Sequence, residues 1–104
     1  MTKHKFLIRF YLLGILEEST NRAEKFVERF GGEDTQVRKN REVLDQLDSI
    51  FEPLSSQVME ILRLRFVENL EVHQIAKQLD LTHNKVEFLC SELIQGVKKI
   101  AKNY

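Results

Sequence analysis

The sequence predicts an all-α fold: a small helical bundle closed by a C-terminal helix-turn-helix. Three observations predict it. One proline and four glycines are spread over 104 residues that are otherwise rich in good helix formers. Apolar residues recur at intervals of three and four along most of the chain. The stretch from Leu54 to Lys99 reads as an apolar helix, a tight bend, a short helix, a second bend and a long helix. The length allows one domain with an appended arm. We divide it into residues 1–52, a helical arm that completes the core or dimerises, and residues 53–104, the helix-turn-helix domain.

The first apolar segment is Phe6 to Leu16, apolar on nearly all sides, as expected of a helix covered on more than one face. It has the look of a secretory signal. However, Arg9 interrupts it and no small-residue cleavage site follows before Glu17-Glu18. It is also too short to span a bilayer. We read it as a buried or interface helix and expect no membrane association. Ala23, Phe26, Val27 and Phe30 then repeat at helical spacing. Either Asn21 and Glu24 form a capping box that restarts the helix after Ser19-Thr20, or one helix runs on to Phe30. Gly31-Gly32 ends it, since glycine supplies the left-handed residue that follows a helix.

The next helix spans about Glu33 to Phe51, with Val37, Leu44, Leu47 and Phe51 as its seam and Val43 and Ile50 widening it. Its charges oppose the helix dipole, with Arg38, Lys39 and Arg41 early and Asp45 and Asp48 late. The basic cluster is either a solvated face or a phosphate contact. Pro53 restricts Glu52 and ends the helix.

Ser55 or Ser56 caps the following helix, which carries Val58, Ile61, Leu62, Arg65 and Phe66. Asn69 suits a left-handed residue after it. Glu71 to Leu79 is a short helix with Val72, Ile75, Ala76 and Leu79 inward; Ala76 is small where two helices must cross, and Gln74 reaches back to the first-turn amides. Asp80-Leu81 makes the second bend and Thr82 caps the last helix. There Val86, Leu89, Cys90, Leu93, Val97 and Ile100 form one buried stripe. The opposite face carries His83, Asn84, Lys85, Glu87, Phe88, Ser91, Glu92 and Gln95. A helix presented in this way has the shape that enters a major groove. Gly96 either admits a close helix contact or lets the helix fray.

Leu54 to Lys99 resembles region 4 of sigma-70-type factors, and especially small phage and Firmicute regulators of the ArpU-like and RinA-like kind. The matching residues are Leu62-Arg63-Leu64-Arg65-Phe66, Gln74-Ile75-Ala76, Leu79, Leu81, Thr82, Val86, Leu89, Leu93 and Ile94. The match covers a little under half of the chain. It departs at Gln74, where the family usually has glutamate, and at Glu71, where a Ser or Thr cap is common. It departs again at Glu87, Glu92 and Gly96, where basic residues are frequent.

The resemblance implies binding of double-stranded DNA in transcription regulation, or docking on RNA polymerase. It places a recognition helix at about residues 83–95 and turns Thr82, His83, Asn84, Lys85, Glu87 and Phe88 toward DNA, with Arg63 and Arg65 near phosphates. Asn84 suits adenine, Lys85 guanine or phosphate, Phe88 a thymine methyl, and a glutamate such as Glu87 a cytosine amine.

The remaining composition excludes more than it suggests. Sixteen basic residues balance sixteen acidic ones, so any basic surface must be local. The lone Cys90 allows no internal disulfide and no cysteine-rich metal centre, and it fits the cytoplasm. His4, His73 and His83 lie apart at no metal-ligand spacing. Glu17-Glu18 and Glu33-Asp34 read as helix-end charges. With no glycine-rich phosphate loop and no Ser/His/Asp arrangement, we expect no enzyme, cofactor or metal. We do expect a homodimer, through Phe6 to Leu16 and the Val37 to Phe51 seam.

Overall fold

The computed structural model describes residues 2–32 and 35–102. These form six helices: α1 Lys3–Leu12, α2 Ile15–Phe30, α3 Thr35–Phe51, α4 Ser56–Phe66, α5 Val72–Leu79 and α6 His83–Ala101. No strand occurs among the described residues. The long axis of the molecule is about twice its width, with extents of 51 × 26 × 21 Å.

The first break falls at Leu13-Gly14, earlier than either reading of the sequence placed it. Leu13 N–H donates to Arg9 O and Gly14 N–H to Tyr11 O, both at 3.0 Å, closing α1. Gly14 sits at φ 76°, in the left-handed region that costs glycine least, and α2 starts directly after it. No restart occurs at Asn21. The Thr20 hydroxyl, buried inside the bundle, donates to Leu16 O at 2.7 Å, and that of Ser19 donates to the same carbonyl at 3.2 Å. Both side chains are thereby satisfied within a continuous helix.

The inward face of α2 also differs from the expected seam. Leu16 and Thr20 are buried and Ala23 and Val27 half-buried, whereas Phe26 and Phe30 point outward at 61% and 67% exposure. A polar clamp from α3 accompanies this arrangement. Arg41 donates to both carboxylate oxygens of Glu24, at 2.6 and 3.0 Å, and to Asn21 Oδ1 at 2.6 Å. Those contacts tie α2 to α3, and the two phenylalanine rings lie tilted to each other with centres 5.0 Å apart. Gly31 closes α2 at φ 75°, as expected. The anticipated first turn of α3, Glu33 and Asp34, lies outside the described residues.

Helix α6 is the axis of the core, with α1, α3, α4 and α5 all packed on it. Its buried stripe of Val86, Cys90, Leu93, Val97 and Ile100 meets Leu7 and Ile8 of α1, Leu44 and Leu47 of α3, and Ile61 and Leu62 of α4 in one cluster. Residues from both halves of the chain therefore share a single core. Burying a large aliphatic side chain contributes roughly 1.5–3 kcal/mol, so this shared cluster is the main source of cohesion. Tyr11 joins α1 to α3: its ring stacks on Phe51 at 4.4 Å and its hydroxyl donates to Asp48 Oδ1 at 2.5 Å. Gly96 does not fray α6. A Cβ there would meet Ile50 Cδ1 of α3 at 3.5 Å, an ordinary contact.

The covering expected for the first helix is partial. Leu7 and Ile8 are buried, but Phe6, Phe10, Leu13 and Ile15 remain 37–45% exposed. No described helix is long and apolar enough to cross a membrane.

Candidate nucleic-acid interface

Each bend around α5 is built by local chemistry. Ser55 starts α4 by accepting from Val58 N–H at 3.3 Å. After α4, Asn69 takes φ 60° and Leu70 N–H donates to Leu64 O at 2.9 Å, which folds the chain back. At the start of α5, the Glu71 N–H donates to Gln74 Oε1 at 2.8 Å. Asp80 then turns left-handed at φ 56°, and Leu81 N–H donates to Ala76 O at 2.8 Å. Ile75 and Ala76 are buried as α5 packs on α6.

Thr82 Oγ1 accepts from Lys85 N–H at 3.2 Å and so caps α6. Val86 points into the core at zero exposure, which sets the rotation of the helix. His83, Asn84, Lys85, Glu87, Phe88, Ser91, Glu92 and Gln95 are all exposed, with Asn84, Phe88, Ser91 and Gln95 on the side opposite Val86. Phe88, at 62%, is the most exposed large apolar side chain of α6. His83 Nδ1 lies 3.5 Å from Glu87 Oε2, one turn away, so a protonated His83 would offset that carboxylate. The start of α6 thus offers a lysine, an amide, an imidazole and an aromatic ring, with one acid among them and Glu92 further along.

The two arginines of α4 are placed differently from that cluster. Arg65 is half-buried and its Nη1 donates to Leu70 O at 3.2 Å, which ties it to the bend between α4 and α5. It also sits near Cys90, whose thiol is pushed up by burial and drawn partly back by that guanidinium. Arg63 is exposed and reaches Leu12 O at 3.5 Å, at the end of α1. Sequence reasoning did not place Thr2 and Lys5 beside Arg65. They line one cleft with it only because α1 packs on α4, and no local signal announces that packing.

Comparison with protein-family models, with curated proteins and with solved structures gives no match.

Proposed function

We propose that this protein is a cytoplasmic DNA-binding transcription regulator, with α5 and α6 acting as a helix-turn-helix of sigma region 4 type. The first turns of α6 enter the major groove. The carrying observation is the exposed run His83, Asn84, Lys85 and Phe88 at a threonine-capped helix start, backed by α5. A helix N-terminus favours nearby phosphate, and Asn, Lys and an apolar ring are suited to base edges. Fluorescence anisotropy on labelled random and genomic duplexes at low salt tests this. Binding is expected, weakening as salt rises and weakening again in Lys85→Glu. No binding to either duplex at low salt overturns the reading.

A second reading is favoured by Glu87 and Glu92, both exposed on that same face, because carboxylates repel phosphate. In it the module docks on RNA polymerase or a sigma factor, with exposed Phe88 as its anchor. Recovery of polymerase subunits from extract after nuclease treatment supports it. Recovery that vanishes with nuclease counts against it.

A further inference from the structure

A cleft between the start of α1 and the end of α4 shares only Arg65 with the expected DNA contacts. Thr2 and Lys5 form one side, Arg65 and Asn69 the other, and Phe66 completes the lining of a volume of about 600 Å³. Phe66 is buried, and Lys5 and Arg65 are each half-buried, so both cationic side chains are partly withdrawn from water. Lys5 has no ion-pair partner among the described residues. Arg65 spends one N–H on Leu70 O, which fixes the guanidinium plane and leaves other donors of its fork open. No carboxylate is among the described lining residues; Glu68 and Glu71 flank the bend in sequence without lining the cleft.

Two cations from different helices line one cleft, where an anion between them would offset their repulsion. The surroundings are positive as well. His4 is pushed below its ordinary value, first by burial and then by Lys98 and Lys5. Arginine, lysine and an amide together are a donor set suited to phosphate oxygens.

We propose that this cleft binds a phosphate group, held by Lys5 from α1 and by Arg65 and Asn69 from the α4–α5 bend. The group is either a backbone phosphate of DNA, which rests on the proposed function, or a free phosphate, which does not.

The full chain is titrated with inorganic phosphate at constant ionic strength and followed by ¹H–¹⁵N spectra. Saturating shifts are expected at the Thr2, Lys5 and Asn69 amides. Lys5→Gln should weaken binding about tenfold, the scale of one charged hydrogen bond. Lys5→Arg should retain it, and Lys77→Gln, on exposed α5 surface, should leave it unchanged. The same spectra report whether each variant is folded. Shifts that stay linear, or saturating shifts untouched by Lys5→Gln in a folded protein, overturn the proposal.

The second arm measures duplex affinity against salt. If DNA is the source, Lys5→Gln lowers the salt slope by about one. An unchanged slope, with phosphate binding lost in the variant, assigns the cleft to free phosphate. If no duplex binds at all, the proposed function fails while the phosphate titration still decides the cleft.

Discussion

Lys85 and Glu87 are both exposed near the start of α6, on opposite flanks of the helix and with opposite charge, and they give the DNA-binding reading its sharpest test. Removing the acid removes a repulsion, so Glu87→Gln should raise affinity for random duplex, the reverse of Lys85→Glu. Anisotropy titrations of both variants at one salt concentration check the pair. If Glu87→Gln weakens random-duplex binding, the carboxylate does not face phosphate. Elsewhere, the Arg41 clamp makes a pH-dependent contribution. The hydrogen bond from Arg41, and then its charge, hold Glu24 below the carboxylate value of 4.5. A depressed folded value means stability that is present above the unfolded value and lost as pH falls through the folded one. The difference in urea stability between the native protein and Arg41→Met should therefore be full at neutral pH and shrink below about pH 4.5. A difference that is constant down to pH 2.5 would sink this assignment. Tyr11 is a neutral counterpart. Burial, and then its bond to Asp48, raise the phenol well above its ordinary range, so it remains a donor at any physiological pH. Tyr11→Phe should cost about 1 kcal/mol of stability, read by urea denaturation.

At the scale of elements, two glycines predict opposite responses to one substitution. Gly14 separates α1 from α2 at φ 76°, and nothing lies within 4 Å of a Cβ built there. Gly14→Ala is therefore strained by backbone conformation alone, and should lower stability by about 1 kcal/mol. Gly96 lies inside α6, and its added Cβ would make an ordinary 3.5 Å contact with Ile50. Gly96→Ala should raise stability by about 0.5–1 kcal/mol through helix propensity and reduced freedom in the unfolded chain. Thermal melts of the two variants, run together, check the signs. The capped starts of α4, α5 and α6 were legible in sequence because Ser55, Glu71 with Gln74, and Thr82 act within three residues. The left-handed Asn69 and Asp80 are equally local. The α1–α2 break was not legible because a lone glycine inside an apolar run carries little signal, whereas the polar residues near Ser19 carry a stronger one. Thr20 gave no break because its hydroxyl is satisfied by Leu16 O, a bond that only a continuous α2 provides.

At the scale of the molecule, the exposed Phe6, Phe10, Leu13 and Ile15 form a stripe along α1 and the start of α2. Phe6 and Phe10 lie with ring centres 5.7 Å apart, one turn from each other. A two-fold pairing sets the same stripe against itself, which is why we expect a second copy to cover it. Light scattering at micromolar concentration should give a dimeric mass, and Phe6→Ser with Phe10→Ser should return it to the monomer. A monomeric mass for the native chain ends the claim. The cleft of Lys5 and Arg65 also belongs to this scale, since it exists only where α1 meets α4.

The sequence by itself determined the helices, most of their ends and the inward stripe of α6. Those depend on periodicity and on hydrogen bonds that close within a turn. It also determined that Asn84 and Phe88 lie opposite Val86, with Lys85 and Glu87 on its two flanks, because each residue turns the helix by about 100°. Tertiary structure decided the rest. The burial of Leu16 and Thr20, with Arg41 tied to Glu24 and Asn21, left Phe26 and Phe30 outward. The packing of α1 on α4 set Lys5 and Arg65 around one cleft, while Arg65 itself was drawn onto Leu70 O in the bend. These outcomes join residues far apart in the chain or choose among several partners. They are fixed by the competition among whole faces for one core, which local spacing does not encode.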